Sequence, residues 1–365
     1  MSRPRAQGNV TLTTVATAVG VSPTTVSNAY NRPHKLSPAL RERILQAARD
    51  LGYPGPNPAA ATLRRGRAGS MGLLFGEALT YAFQDPGAVE FLRGLAEGTA
   101  RHNTVLQLIA ALDAQGQEGA AALLANAIVD GLVVWTLPDR HPLLRLARER
   151  NIPLVIHGGP QLDGIPFVGM DDRAAARAVA EHLLALGHRS LAVVSQPFGP
   201  SRRARHRDPA RIGRPRYRVT RERLAGYRAA ADAAVALDIY EVAVNSRDEG
   251  RRAALALLQA DPRPTAVLAM SDELALGATA AARELGLRVP DDLSVVGWDD
   301  SPSARASDPA LTTVRQSLHE QGRICARLLI AATRGEIAAD DLVHLAPWQF
   351  IARDSTGPPP ESRRG

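Results

Sequence analysis

The chain has 365 residues, which is more than one ordinary domain contains and suits two or three domains. Its single cysteine, Cys325, excludes a disulfide framework and a cysteine-based zinc site. No apolar run is long enough to cross a bilayer, and no apolar stretch follows the arginines of the N-terminus. We therefore expect no membrane association, no secretory signal and a cytoplasmic location.

The net charge of +7 is unevenly distributed along the chain. Residues 1–70 hold ten Lys or Arg and two Asp or Glu, and residues 201–223 hold the same numbers, so each stretch carries +8. The remainder of the chain therefore carries −9. A basic N-terminal module on an acidic body indicates a polyanion as its partner, although a basic solvated tail would give the same charge.

Four helix starts are predicted in the first 60 residues, each at a capping side chain. The side-chain oxygen of Ser, Thr or Asn accepts a hydrogen bond from a free helix amide, and a proline at the next position needs no partner. The first helix runs from its cap to Gly20. The four caps are Thr11, Ser22 before Pro23, Ser37 before Pro38, and Asn57 before Pro58.

The first two helices are joined by the tight turn Gly20–Val21, which is typical of a helix-turn-helix. Apolar residues at helical spacing predict a small core. They are Val15, Val19, Val26, Ala29, Leu40, Ile44, Ala47, Ala48 and Leu51.

The second helix has a polar face with little to bury against. Its short polar side chains are Thr24, Thr25, Ser27 and Asn28. Such side chains read base edges when a helix lies in a major groove, and an ordinary solvated face is the alternative.

From Met71 onward, short apolar strands alternate with Ala- and Leu-rich helical segments. The predicted strands are Met71–Phe75, Val105–Ala110, Gly131–Trp135, Pro153–Ile156, Leu191–Ser195, Ala266–Met270 and Leu293–Gly297. The predicted helices are Glu90–Arg101, Glu118–Ala127, Leu143–Arg150, Arg173–Leu186, Arg223–Ala236, Glu249–Gln259 and Glu273–Leu285. This alternation predicts two parallel sheets with helices on both faces, which bind ligands at the carboxyl ends of the strands.

Catalytic motifs are absent from the sequence. It contains no G-x-G-x-x-G, no G-x-x-x-x-G-K-[ST], no H-E-x-x-H and no G-x-S-x-G. The nine histidines lack metal-ligand spacing. We therefore predict that the protein is not an enzyme and needs no metal or cofactor.

Three motifs follow one another in the first 65 residues: VATAVGVSPTTVS, LSPALRERILQAARDLGY and NPAAATL. The body continues with GLVVWTLP, VGMDDRAAARAVAEHLLALGHRSLAVV, RERLAGYRAA, AVLAMSDELALGATAAARELGLRVPDDLSVVGWDDSP, LTTVRQS and FIARDS. Together these motifs resemble the LacI/GalR family of transcriptional regulators, over essentially the whole chain to about Ser355.

The resemblance implies an all-α helix-turn-helix domain in residues 1–56, a hinge helix and linker in 57–68, and an α/β effector-binding and dimerisation domain in 69–355. That domain would contain two subdomains similar to periplasmic binding proteins, about 69–167 with 317–345 and about 168–316 with 346–355. Three chain segments would cross between them, with Asp171 and Gln316 near the crossings. Residues 356–365 are expected to form a disordered tail.

The resemblance also implies which residues contact DNA. The base-reading positions are Pro23, Thr24 and Asn28, and the amide of Asn28 suits adenine. The positions that match backbone contacts are Thr11, Ser22, Thr25, Ser27, Lys35 and Tyr53. In the hinge segment Asn57–Arg65, Leu63 matches a leucine that wedges into the minor groove and requires two copies side by side; a plain linker is the alternative.

Four positions match effector contacts of the family: Arg223, Ser271, Asp299 and Gln316. A guanidinium and a carboxylate can hold paired sugar hydroxyls through charge-assisted hydrogen bonds. Spacing alone favours other roles, because Asp299 could cap a turn and Arg223 could pair with Glu222 or Asp232 on the surface.

The Arg-rich stretch SRRARHRDPARIGRPRYRVTR, residues 201–221, is longer than the corresponding loop of the family. Its composition predicts a mobile loop. It would either cover the cleft and select an anionic effector or be a solvated loop without a role.

We therefore expect a homodimeric or larger DNA-binding regulator, a repressor, that binds a near-palindromic double-stranded operator and is controlled by a sugar-like effector. A sugar-binding protein without a DNA role is the alternative, which the basic N-terminal module disfavours.

Overall fold

The structure is a computed structural model that describes residues 10–55, 67–111, 117–208, 212–231 and 235–360. The chain divides into two compact units, Met1–Ala68 and Gly69–Gly365. In its described part, the first unit contains α1 (Leu12–Val19), α2 (Pro23–Asn31), a 3-10 turn at Pro33–Lys35 and α3 (Pro38–Asp50).

The three helices of the first unit begin at the predicted caps. Backbone N–H groups donate to the hydroxyls of Thr11 (3.3 Å), Ser22 (3.1 Å) and Ser37 (3.3 Å). Gly20 ends α1 in the left-handed conformation, with φ of 74°, which glycine adopts without strain. The fourth predicted start, at Asn57, lies outside the described residues.

The small core of the first unit is largely the predicted one. Its buried members are Val15, Ala16, Val26, Ala29, Ile44 and Ala48. Leu51 was predicted to face inward and is 37% exposed, because α3 ends one residue earlier and Leu51 is its C-cap.

The second unit contains a six-stranded parallel sheet whose order is β12-β5-β4-β3-β1-β2. Its strands are β1 (Ser70–Phe75), β2 (Val105–Ala110), β3 (Gly131–Trp135), β4 (Leu154–His157), β5 (Phe167–Gly169) and β12 (Val343–Leu345). The helices around it are α4 (Tyr81–Gln84), α5 (Pro86–Ala100), α6 (Gln117–Asn126), α7 (Pro142–Glu149) and α13 (Leu318–Arg334). α5 and α13 cover one face, and α6 and α7 cover the other. We call this sheet and its helices the amino-side subdomain.

The carboxy-side subdomain is built on a five-stranded sheet of order β10-β9-β6-β8-β7. Its strands are β6 (Ser190–Ser195), β7 (Arg205–Arg207), β8 (Ala236–Glu241), β9 (Ala266–Ala269) and β10 (Ser294–Val296), of which only the edge strand β7 is antiparallel to its neighbour. α8 (Asp172–Ala185) and α9 (Arg218–Ala230) cover one face, and α10 (Arg247–Leu258) and α11 (Asp272–Glu284) cover the other. α12 (Pro302–Ala306) and an antiparallel pair, β11 (Thr313–Arg315) with β13 (Gln349–Ile351), complete it.

The chain passes between the two sheets at three places, residues 170–171, 316–317 and 346–348. The predicted pattern of two parallel sheets with helices on both faces is therefore confirmed. Asp171, at the first crossing, caps α8 by accepting from the N–H of Ala174 at 2.9 Å.

Three expectations about the body are wrong. The helix predicted at Arg223–Ala236 ends at Ala230, and Ala236 begins strand β8. Residues 356–360, expected in a disordered tail, are ordered in part by the imidazole of His188, whose Nε2 lies 2.9 Å from the carbonyl oxygen of Gly357. Residues 361–365 lie outside the described ranges. In the stretch 201–221, expected to be mobile, the described residues 201–208 contain β7 and the described residues 212–221 contain the start of α9.

Gly94 allows the close packing of α5 on α13. A Cβ atom at this position would overlap the carbonyl oxygen of His319. We expect Gly94→Ala to lower the free energy of unfolding by about 1–3 kcal/mol, because the two helices must move apart. Urea unfolding measures this, and Gly213→Ala, where nothing lies within 4 Å of the added carbon, is the control. Equal stability of the two variants would contradict the close packing.

None of the helices in the described ranges has both the length and the apolar character needed to cross a lipid bilayer.

Candidate functional sites

The polar residues of α2 lie at the surface of the first unit. Pro23 and Thr24 are exposed and Asn28 is half-buried, whereas Val26 and Ala29 are fully buried against the other helices. The helix therefore presents its hydroxyl and amide groups outward, as an interface with bases requires.

The hydroxyls predicted to touch the DNA backbone already make local hydrogen bonds. Thr11 Oγ1 lies 3.0 Å from the hydroxyl of Thr14, and Ser22 Oγ lies 2.8 Å from that of Thr25. Ser27 Oγ accepts from the amide of Asn31 at 3.3 Å. A hydroxyl has a single donor hydrogen, so the member of each pair that accepts, and Ser27, keep that hydrogen for a phosphate oxygen.

Two further predicted contacts lie beyond the cap region. Lys35, the only lysine of the chain, is exposed at the 3-10 turn. Tyr53 is half-buried, and its ring meets that of Tyr30 edge-on at 6.1 Å. Asn57 and Leu63 lie outside the described residues.

In the second unit, the two subdomains enclose a cleft at the carboxyl ends of their strands. Trp135, His157 and Gly169 end strands of the amino-side sheet, and Met270 and Asp299 follow strands of the carboxy-side sheet. The cleft has about 880 Å³ of empty volume, including space open to solvent.

Arg223 is buried in the cleft and fully engaged. Its guanidinium donates to Asp172 Oδ1 at 3.0 Å and to the carbonyl oxygen of Met270 at 2.6 Å, and it lies over the ring of Trp298 at 3.9 Å. The surface pairing considered for Arg223 is therefore wrong. Burial raises the pKa of Asp172, and the guanidiniums of Arg223 and Arg218 oppose that rise.

Asp299 and Gln316, two of the four positions that match effector contacts, both line the cleft, and the side-chain amide of Gln316 donates to the carboxyl of Asp299. Ser271 does not line the cleft. It caps α11, and its hydroxyl donates to Asn245 Oδ1 at 2.5 Å. Asn245 is the residue that faces the cleft, so Ser271 orients it from behind.

A second carboxyl, Asp85, faces the cleft and was missed from the sequence. It caps α5 by accepting from the N–H of Ala88 at 2.8 Å, and it accepts from Asn245 Nδ2 at 3.2 Å. Burial raises its pKa to about 6. Burial and the carboxylates of Asp272 and Asp85 raise the pKa of Asp299 well above its ordinary value. The sequence did contain a signal for the helix that Asp85 begins, because Asp85-Pro86 is the same pattern of cap and proline that starts α2 and α3.

An aromatic wall closes the amino side of the cleft. Trp135 stacks on Phe75 with ring centroids 5.5 Å apart and on His157 at 4.7 Å. Burial lowers the pKa of His157 to about 4, so its imidazole is neutral, and its Nε2 lies 2.9 Å from Gln321 Oε1. Half-buried Trp135 thus offers an apolar surface beside hydrogen-bonding groups.

We expect Asp85→Asn to stabilise the protein at neutral pH and to have little effect near pH 4. The pKa of Asp85 rises from 3.8 to about 6 on folding, so the stability it contributes is present below 3.8 and lost as the pH rises through 6. Asparagine keeps the helix cap and has no charge to bury. Thermal unfolding from pH 4 to 8 measures the difference, and a difference that does not change with pH would contradict the assignment.

In the residues that the structure describes, no cluster of three or more His, Cys, Asp or Glu is suited to a metal ion.

Comparisons with known proteins agree with this architecture. Residues 11–57 match the family described as bacterial regulatory proteins, lacI family, and residues 180–356 match a periplasmic binding protein-like domain. The HTH-type transcriptional regulator Rv3575c of Mycobacterium tuberculosis is 37% identical over 361 residues, which are 98% of this chain and 99% of that protein.

Two solved structures share the whole fold. The crystal structure of the Lac repressor dimer bound to operator and the anti-inducer ONPF has a TM-score of 0.75 at 25% identity and covers 96% of this chain and 100% of that one. The complex of the transcriptional regulator CelR with cellobiose has a TM-score of 0.65 at 27% identity and covers 95% of this chain and 99% of that one. The relatives are regulators and not enzymes. The chain belongs to the LacI family of bacterial regulatory proteins.

Proposed function

We propose that the protein is a sequence-specific transcriptional repressor that binds a near-palindromic operator as a homodimer and responds to a small polyhydroxylated effector. The observation that carries the proposal is the pairing of an outward-facing polar recognition helix with a cleft lined by carboxyl, amide and aromatic groups. Such a regulator acts on the chromosome, so its place is the cytoplasm, at the nucleoid.

In the DNA-binding role, Pro23, Thr24 and Asn28 of α2 read base edges. The backbone contacts come from Thr11, Ser22, Thr25, Ser27, Lys35 and Tyr53. Asn57 and Leu63 act in the hinge segment, where two leucines side by side kink the duplex. The Lac repressor relative, whose structure holds operator DNA, supports this arrangement.

The charges of the cleft favour an uncharged effector. Arg223 is paired with Asp172, and Arg202 is paired with Glu77, so neither guanidinium is left to attract an anion. Asp85 and Asp299 form no salt bridge in the described part of the chain, and carboxyl groups without a cation suit hydroxyl donors. The CelR relative, whose structure holds cellobiose, supports a sugar.

The effector acts by its different affinity for two arrangements of the subdomains. Asp85 and Trp135 belong to the amino-side subdomain, and Arg223, Asn245 and Asp299 belong to the carboxy-side one. A molecule that contacts both sets stabilises the closed cleft, and this shift in population changes the affinity for operator.

A mobility-shift assay with duplex DNA from the region upstream of the gene tests the DNA-binding role. We expect retention at low salt and an affinity that falls about 10³- to 10⁵-fold between 50 and 200 mM salt, as 6–10 phosphate contacts would give. Binding that does not depend on salt, or no binding at all, would contradict the proposal. Thermal shift with neutral sugars and with their phosphates tests the effector class, because a bound ligand raises the melting temperature.

A further inference from the structure

The Arg-rich stretch 201–221 bridges the two subdomains across the cleft. Arg202 forms an ion pair with Glu77, which follows strand β1 of the amino-side sheet, and its Nη2 donates to the carbonyl oxygen of Gly76 at 3.2 Å. The pair is largely removed from solvent, since the side chain of Arg202 is 17% exposed and that of Glu77 is 21% exposed.

A second set of contacts joins the same stretch to Asp139, which lies between β3 and α7 of the amino-side subdomain. Arg221 Nη1 donates to Asp139 Oδ2 at 2.8 Å, and Arg216 Nη2 donates to the Asp139 carbonyl oxygen at 2.9 Å. The backbone N–H of Asp139 donates in turn to the carbonyl oxygen of Arg216 at 2.8 Å. Asp139 of the amino-side subdomain is therefore bonded to this stretch through both its side chain and its backbone.

The stretch is also fixed to its own subdomain. Glu241, fully buried at the end of β8, accepts from Arg205 at 3.2 Å and from Arg207 at 2.7 Å, and β7 pairs with β8. Thr220 Oγ1 donates to the carbonyl oxygen of Pro197 at 3.1 Å. Because both of its ends are anchored to the carboxy-side subdomain, its bonds to Glu77 and Asp139 hold the two subdomains together.

The same stretch lines the cleft. Tyr217, Val219 and Thr220 form part of its wall. Arg202 and Arg221 form ion pairs with Glu77 and Asp139 on the other side of the cleft. Because these carboxylates neutralise them, the two arginines hold the cleft closed and do not attract an anion into it. A closing role thus accounts for both the position and the pairing of these arginines.

We propose that Arg202, Arg216 and Arg221 form a clamp across the effector cleft that favours its closed arrangement, so that opening of the clamp controls entry and release of the effector. The effector role of the cleft rests on the proposed function. Closure by the clamp is a property of the chain that is measurable without DNA or effector.

Amide hydrogen exchange of the full-length protein tests the clamp. In Arg202→Gln/Arg221→Gln we expect the peptide containing Asp139 to exchange at least 10-fold faster than in the wild type, because its N–H bonds across the cleft to Arg216. The matched control is Arg203→Gln/Arg214→Gln, which removes the same charge from exposed arginines of the same stretch and should exchange at the wild-type rate. Wild-type exchange in the clamp variant would overturn the proposal.

Glu77→Ala removes the acceptor that Arg202 binds on the amino-side subdomain. It must accelerate exchange at Asp139 if the clamp opens as a unit, and it replaces the double variant should that fail to fold. We further expect the affinity of the clamp variant for operator to differ at least 5-fold from that of the wild type without effector, with the control within twofold. Unchanged operator affinity would overturn the regulatory role of the clamp. If the wild-type protein bound no operator, the proposed function would be contradicted. The exchange result would still show whether the clamp holds the two subdomains together.

Discussion

Replacing Arg223 by methionine is expected to lower the free energy of unfolding by about 3–5 kcal/mol, which makes it the most disruptive single change in the cleft. The substitution leaves the buried carboxylate of Asp172 without its closest cation, since Arg218 Nη1 lies further away at 3.4 Å. It also removes the guanidinium from the ring of Trp298 and its hydrogen bond to Met270.

Urea unfolding at pH 7 measures this loss. Arg228→Met, at an exposed position of the same helix, is the matched control and should stay within about 1 kcal/mol of the wild type, because an interaction of an exposed charge contributes no more than that. Asp172→Asn in the Arg223→Met background should restore part of the stability, because it removes the stranded charge. A loss below about 1 kcal/mol for Arg223→Met would show that the pair is not the buried ion pair described here.

The second large effect is expected at the DNA-binding surface. Asn28→Ala should weaken binding to the operator by about 5- to 150-fold, the equivalent of about 1–3 kcal/mol for one bidentate base contact. Binding to unrelated duplex DNA should be unchanged, because that binding depends on phosphate contacts. The side chain lies at the surface of α2, so the substitution leaves the small core intact.

Fluorescence anisotropy with operator and with scrambled duplex measures both affinities. Gln46→Ala, at an exposed position of α3, is the control and should leave both unchanged. If Asn28→Ala weakened binding to both duplexes equally, the residue would be holding the backbone or the fold and would not be reading a base.

Features that depend on neighbouring residues were predictable from the sequence. The caps at Thr11, Ser22 and Ser37 involve a side chain and an amide three residues away, so the local pattern contains both partners. The two parallel sheets were predictable because each strand buried on both faces is a short run of apolar residues.

Features that depend on distant partners were not predictable. Nothing near Ser271 indicates that its hydroxyl bonds Asn245, 26 residues earlier in the chain. The positions of Arg202 and Arg221 have the same cause, since these arginines meet Glu77 and Asp139 from a different part of the sequence. The composition of residues 201–221 correctly showed an excess of positive charge. It could not show where the carboxylates that pair with these arginines lie in the fold.

The cleft shows both cases together. Arg223, Asp299 and Gln316, which the family resemblance offered as effector contacts, line the cleft. Asp85, Trp135 and Asn245 line it too and were missed. Asp85 and Trp135 come from the amino-side subdomain, and they face the other three only because the chain crosses between the sheets three times.

The central claim is that the polar face of α2 reads duplex bases. Selection of bound sequences from a random duplex library by the full-length protein tests it most directly. We predict enrichment of a near-palindrome whose half-sites lie about one helical turn apart, and a different preferred base at one position of each half-site for Asn28→Ala. No enriched sequence, or the same sequence from both proteins, would contradict the claim.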